Sequence, residues 1–339
     1  MGPLGKVFGI GKKGKIGIKV DKPFYIAGEL VTGAIYIHVF EPIECSAVIL
    51  KATGKEKLKW TEVHTHTDSD GTIKTERTSH EKETEFFKQK IVLCSVDQVF
   101  APGKYVYPFS YQLLPDLPGV FEMDEYSEGH IERLDAAIRY KLKATLDIEG
   151  FLAKDLKAKC FLVVHERLTE SIRPSEDSTT QQVNFLCCIN KGTCQLGVAM
   201  DKNVYIPGEA AQISCRIVNG SQVDIQAMRC KLFQDLTLRV NGGSHRFSRK
   251  ISEQTFPGVP AGAIVDQPQP LPLVPNAGRE RNINPSTSGR MISCDYRVDI
   301  ECDIPWCPDV HLHMPVTLIA PMIPNVSWIP TEADGFRPS

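Results

Sequence analysis

Ile18-Lys19-Val20-Asp21-Lys22-Pro23-Phe24-Tyr25-Ile26-Ala27-Gly28-Glu29 returns later in the chain as Val198-Ala199-Met200-Asp201-Lys202-Asn203-Val204-Tyr205-Ile206-Pro207-Gly208-Glu209. Asp, Lys, Tyr, Ile, Gly and Glu recur at one offset, Asp201 lying 180 residues after Asp21. The same offset carries Ala47 onto Ala227 and Lys51 onto Lys231, so the register is kept through the strands that follow. Self-similarity at one fixed spacing marks a duplicated structural unit. The length agrees: 339 residues exceed what one hydrophobic core usually holds, and two domains are expected.

Within each copy the period is that of strands. Tyr140, Leu142, Ala144, Leu146 and Ile148 alternate with Lys141, Lys143, Thr145 and Asp147, and Tyr296, Val298 and Ile300 alternate with Arg297, Asp299 and Glu301. Ala27-Gly28, Asp70-Gly71, Pro102-Gly103, Pro118-Gly119, Asn219-Gly220 and Asn241-Gly242 punctuate the apolar runs as turns. No segment carries a clear helical spacing. The pattern predicts an all-β protein of two tandem antiparallel β-sandwiches, immunoglobulin-like in layering. The expected boundaries are a first sandwich at 1–168, a polar linker at 169–182, a second sandwich at 183–329 and a short tail at 330–339. The proline-rich stretch from Phe256 to Pro285 is expected to be a long loop interrupted by an edge segment at Leu271-Pro272-Leu273.

Composition narrows the function classes. Apolar residues are 42% and charged residues 24% of the chain, which argues against disordered, collagen-like and coiled-coil proteins. Lys and Arg number 39 against 41 Asp and Glu, for a net charge of −2, so nothing draws the whole molecule to nucleic acid and an electrostatic partner must be met by a local patch. No apolar run is long enough for a signal peptide or a membrane span, and the expected location is cytoplasmic, with peripheral association at the plasma membrane or endosomes. Lys6 and Pro3 argue against N-myristoylation of Gly2. Of the eleven cysteines, Cys45, Cys94, Cys160, Cys215 and Cys230 sit in apolar strand patterns and are expected to be reduced, buried thiols.

Ala101-Pro102-Gly103-Lys104-Tyr105-Val106-Tyr107-Pro108-Phe109-Ser110-Tyr111, then Leu114-Pro115, Leu117-Pro118-Gly119-Val120-Phe121 and Ile138-Arg139-Tyr140-Lys141-Leu142-Lys143-Ala144, resemble the N-domain signature of the arrestin superfamily, and of its arrestin-domain-containing (α-arrestin) branch in particular. Ile292-Ser293-Cys294-Asp295-Tyr296-Arg297-Val298 and the stretch from Asp303 to Val316 are similar to that family's last strands. The resemblance spans roughly residues 5 to 320. Its signature is structural: a turn at Pro102-Gly103 followed by Tyr105, Tyr107, Phe109 and Tyr111 along one sheet face. It implies a non-enzymatic adaptor or scaffold in membrane-protein trafficking, endocytosis or signalling, with cytoplasmic tails of membrane proteins as partners. The alternative it implies is a stable endosomal coat subunit, similar to the arrestin-fold subunit of retromer. No Pro-Pro-x-Tyr occurs in the sequence, so ubiquitin-ligase recruitment by that motif is not expected, and neither is the autoinhibitory tail of visual-type arrestins.

Gly9-Ile10-Gly11-Lys12-Lys13-Gly14 matches a dinucleotide-binding pattern by spacing alone, because the chain then enters the strand pattern Ile16 to Val20 where that motif requires a helix. Lys12, Lys13, Lys15 and Lys19 all precede the first acid, Asp21; strand alternation places Lys13, Lys15 and Lys19 on one face, and by position they resemble the lysines with which phosphate-sensing arrestins meet phosphorylated cargo. His66, Asp68, Asp70 and Gly71 form a predicted hairpin tip that resembles the arrestin finger loop by position. Cys294, Cys302, Cys307, His311 and His313 have zinc-ligand residue types, but the spacing is loose and the histidines belong on the outward face of a strand whose inner face is Val310, Leu312 and Met314. No nucleophile elbow or scaffolded carboxylate pair is present. No catalytic site, cofactor or metal is expected.

Overall fold

A computed structural model of the chain describes residues 8–11, 13–95, 99–128, 130–148, 156–186, 188–275 and 283–320. All its regular structure is strand, with no helix among the described residues, in keeping with two tandem β-sandwiches. Two compact units adjoin in sequence between Arg167 and Leu168.

The first unit runs β1 (Phe8–Gly11), β2 (Gly14–Val20), β3 (Tyr25–Ile26), β4 (Leu30–Val39), β5 (Cys45–Thr67), β6 (Ile73–Ser95), β7 (Gly103–Gln112), β8 (Phe121–Glu128), β9 (Ile131–Ile148), β10 (Leu156–Leu162) and β11 (Val164–His165). One sheet has the order β1-β2-β4-β7 and the other β10-β9-β5-β6, with β8 also pairing β9. Period-2 alternation explains the layering. Val31, Ile35, Ile37 and Val39 of β4, Leu50, Leu58 and Trp60 of β5, and Tyr140, Leu142, Ala144 and Leu146 of β9 all turn into one core. Phe109 and Tyr111 of β7 are buried beside them, on the face the aromatic alternation predicts.

The second unit runs β12 (Ser175–Phe185), β13 (Ile189–Met200), β14 (Val204–Tyr205), β15 (Ala210–Ala211), β16 (Ile213–Ser221), β17 (Ile225–Val240), β18 (Gly243–Val259), β19 (Ile264–Pro268), β20 (Leu271–Pro272), β21 (Thr287–Ser288), β22 (Ile292–Asp303) and β23 (Val310–Leu318). Its sheets have the orders β12-β13-β16-β19 and β14-β23-β22-β17-β18, with the short pairs β15-β20 and β21-β22 at the side.

The repeat builds the same turn twice. Glu29 accepts a hydrogen bond from the Ile26 amide (3.0 Å) and pairs with Lys22 (3.4 Å); Glu209 accepts from the Ile206 amide (2.9 Å) and pairs with Lys202 (2.8 Å). Gly28 and Gly208 take positive φ, 87° and 103°, which a side chain would strain. The buried Tyr25 and Tyr205 hydroxyls donate to the Thr32 carbonyl (3.0 Å) and the Asp201 carboxylate (2.7 Å). In both units the short strand that carries this tyrosine is then covered by the unit's last strand, β3 lying parallel to β11 and β14 parallel to β23. The recurring residues are therefore a folding device.

Two expectations are corrected. Residues 169–182 are not a linker throughout: from Ser175 the chain is β12, an edge strand paired along β13. Its sequence looks like a linker because the free flank of an edge strand meets water and only Val183 is fully buried. The stretch from Phe256 is not one long loop either, since β18 continues to Val259 and β19 pairs β16 as the opposite edge, where Pro268 needs no amide partner.

Candidate functional site

The glycine-rich start of the chain is a hairpin. Gly11 of β1 faces Gly14 of β2, and β2 continues as strand, so no helix N-terminus exists there to hold a phosphate. Lys15 and Lys19 lie on the outward face of β2, with Ile16 and Ile18 buried behind them, and Lys13 is exposed just before it. The Lys15 ammonium stands 5.7 Å over the exposed Phe40 ring. Lys12 lies outside the described residues.

β5 and β6 form one long hairpin whose tip is the predicted one. The Gly71 amide donates to the Asp68 carbonyl (2.9 Å), the Asp68 amide to the Thr72 carbonyl (2.9 Å), and Gly71 has φ of 84°. The Thr72 amide donates to Asp70 (2.9 Å) and holds its carboxyl below the ordinary range, while Lys74 pairs with Asp68 (2.5 Å). His66 is exposed on the β5 side. The tip is thus a closed, solvent-facing turn.

A concentration of lysines that sequence reasoning missed lies on the outward face of β10-β9-β5-β6. Register aligns Lys90, Lys51, Lys143 and Lys159 in a single row across all four strands. The next row is Lys88, Thr53, Lys141 and Phe161, and Lys157 follows on the other side of Lys159. Like charges directly opposite one another in a sheet are destabilising, so this row weakens the fold that holds it. Farther along the hairpin the same face is balanced. Glu83 pairs with Lys55, which raises the lysine and lowers the glutamate from their ordinary pKa values, and Glu81 stands 3.7 Å from Lys59. Around the row Glu85 stands 3.9 Å from Lys51 and 3.7 Å from Lys88, and no acid among the described residues pairs with Lys90, Lys141 or Lys159. Phe161, 67% exposed, lies in its midst with Lys141 5.9 Å over its ring. Only the register of four strands reveals the row; the spacing of the lysines along the chain carries no sign of it.

In the second unit the cysteines and histidines of the loose zinc pattern part company. Cys294 and Cys302 turn into the core, where burial pushes the Cys294 thiol up to about 12 and the Cys302 thiol hydrogen-bonds with that of Cys194. His311 and His313 turn outward from β23, as the alternation predicts, and meet Asp299 and Glu301 of β22 instead. No disulfide forms among the described cysteines, and burial pushes the Cys160 thiol to about 11.

Family comparison matches residues 15–167 to the arrestin N-terminal domain and residues 190–322 to the arrestin (S-antigen) C-terminal domain. The chain belongs to the arrestin-domain family. Arrestin domain-containing protein A of Dictyostelium discoideum is 28% identical over 95% of this chain and 54% of its own length. Arrestin domain-containing protein 17 of Caenorhabditis elegans is 24% identical over 90% of this chain and 69% of its own, and arrestin domain-containing protein B of D. discoideum 21% identical over 94% and 49%. The chain thus spans about half the length of the two Dictyostelium relatives. Arrestin-domain proteins are generally non-enzymatic adaptors. No helix of this arrestin-domain protein, among the described residues, is long and apolar enough to cross a membrane.

Proposed function

We propose that this arrestin-domain protein is a non-enzymatic adaptor in membrane-protein trafficking, holding acidic or phosphorylated cytoplasmic segments of its cargo against the outward face of the first unit. The observation that carries this reading is the row Lys90, Lys51, Lys143 and Lys159. Four cations held side by side at strand spacing match an anionic extended peptide, and charge-assisted hydrogen bonds to lysine are about twice as strong as neutral ones. Phe161 supplies an apolar anchor among them. Lys13, Lys15 and Lys19, on the opposite sheet, form a second basic surface that the same experiment separates from the first. Cytoplasmic and peripheral endosomal or plasma-membrane location belongs to this reading.

The test is fluorescence anisotropy of a doubly phosphorylated acidic peptide against the full chain. Lys51→Glu, Lys143→Glu and Lys159→Glu together should weaken binding at least tenfold, about 1.4 kcal/mol, and flatten its salt dependence. Lys13→Glu, Lys15→Glu and Lys19→Glu together should change it much less. If the second triple variant loses binding and the first keeps it, the cargo surface is the N-terminal strand, and the row does not carry the function.

A further inference from the structure

The outward face of β14-β23-β22-β17-β18 carries a cluster distinct from the lysine row of the first unit. Register sets His313 beside Asp299 and Lys231, and His311 beside Glu301 and Arg229. Although they point outward, Asp299 and Glu301 are only 6% and 5% exposed, because long neighbouring side chains cover them. Glu301 is satisfied: Arg229 reaches one oxygen at 2.7 Å, Lys231 the other, and the two cations hold its carboxyl low against the opposing effect of burial. Asp299 differs, since no lysine or arginine among the described residues pairs with it. Its Oδ1 instead faces His311 Nδ1 at 3.4 Å and His313 Nδ1 at 3.2 Å.

Those distances are informative. A charge-assisted hydrogen bond to a carboxylate runs about 2.7–2.9 Å, so both imidazoles stand too far off for strong ones. Ligands bound at about 2.0–2.2 Å around a tetrahedral ion are separated by about 3.3–3.6 Å, and both contacts lie within about 0.1 Å of that range. Glu301 Oε2 is 3.7 Å from His311 Nδ1, and the donor atoms of Asp299, Glu301 and His311 all lie within 4.8 Å of one another. His313 is outside that group, its ring 6.2 Å from that of His311, so an ion held by both imidazoles has to draw the exposed His313 side chain inward by rotation.

We infer that Asp299, His311 and His313 bind a divalent late transition-metal ion of the Zn2+ class on the outer face of the second unit, with Glu301 beside the fourth position. Two imidazoles and a carboxylate suit such an ion, whereas Ca2+ and Mg2+ require oxygen ligands. The histidines, spaced two apart on a strand, share one face by geometry, and their side chains, 39% and 57% exposed, leave the ion a route from solvent. Arg229 and Lys231 hold Glu301 in place as the outer support that metal ligands commonly have. Three protein ligands leave the remaining position to water or to a residue of a bound protein. This departs from the expectation of a metal-free chain, and the ligands are not the cysteines that first suggested zinc.

Titration calorimetry of the full chain, tag removed, with Zn2+ in a non-chelating buffer tests the inference, with Ca2+ and Mg2+ as controls. One Zn2+ per chain with micromolar affinity is expected, and substituted Co2+ should show the strong visible absorption of a tetrahedral site. His313→Gln, at an exposed position that should not disturb folding, should weaken Zn2+ binding at least tenfold, and Asp299→Asn should abolish it. Cys307→Ser should leave it unchanged. Absence of stoichiometric binding, or binding equal in His313→Gln and the parent, overturns the inference, as does binding that Cys307→Ser removes.

Discussion

His165 shows what burial does to one side chain. It ends the first unit as the second residue of β11, edge-on to the Phe24 ring at 5.2 Å, and its Nδ1 is buried without a hydrogen-bond partner. Burial lowers its pKa from 6.5 to about 4. In the unfolded chain the imidazole keeps its ordinary value, so between pH 6.5 and 4 the unfolded state binds the extra proton. Stability is therefore complete above pH 6.5, falls as pH drops through that window, and loses no more from this group below pH 4. From pH 7 to 4.5 the loss is about 2 kcal/mol. Urea unfolding at the two pH values should show that component in the parent chain and not in His165→Leu; equal pH dependence in both would mean that the imidazole has the same pKa folded and unfolded.

Among the elements, the β5–β6 hairpin changes character along its length. From Val48 to Trp60 every second residue of β5 is buried, whereas from His64 to Thr67 and from Ile73 to Ser79 all residues are exposed, and backbone pairing joins the strands there without buried apolar side chains. Trp60, stacked on His80 at 4.6 Å, marks the last well-covered rung. Hydrogen exchange should find the amides beyond Val63 opening at least about a hundredfold faster than those from Val48 to Leu58, because no apolar burial opposes local fraying there. Uniform protection along the hairpin would contradict this account. Elements also show what was legible in the sequence. The tip at Asp70-Gly71 and the inward and outward residues of β9 and β23 could be read, because turn chemistry and period-2 alternation are local signals. β12 was hidden by its polar edge composition. The lysine row and the pairing of His311 and His313 with Asp299 and Glu301 depend on register between strands distant in sequence, and no local pattern encodes register.

At the scale of the molecule, the repeat predicts that each unit folds about its own core, and the two share no strand. The boundary at Arg167 and Leu168 falls in a stretch without a strand, but Glu170 and Arg173 are already tied to the second unit. Asn203 bonds Glu170 at 2.8 Å and accepts from the Arg173 amide at 2.9 Å. Brief treatment with a protease of broad specificity should therefore cut within 166–169 in preference to 170–174. Residues 1–167 and 168–339 expressed separately should each give strand-type far-ultraviolet spectra and cooperative melting. A fragment that stayed unfolded alone would show that the unit needs the other to complete its core.

The two short parallel pairings, β3 with β11 and β14 with β23, bear on how the chain is made. Val164 and His165 lie beside Tyr25 and Ile26, so the turn that opens the first unit stays uncovered until about 140 further residues have left the ribosome. The second copy has the same debt, Val204 and Tyr205 waiting for Thr317 and Leu318. Synthesis thus proceeds as two long intervals, each ending when the unit's last strand emerges and seals a buried tyrosine, and during each interval apolar strand edges stand open to chaperones. A nascent chain stalled with 165 still inside the exit tunnel holds nearly all the residues of the first unit and lacks the strand that completes it.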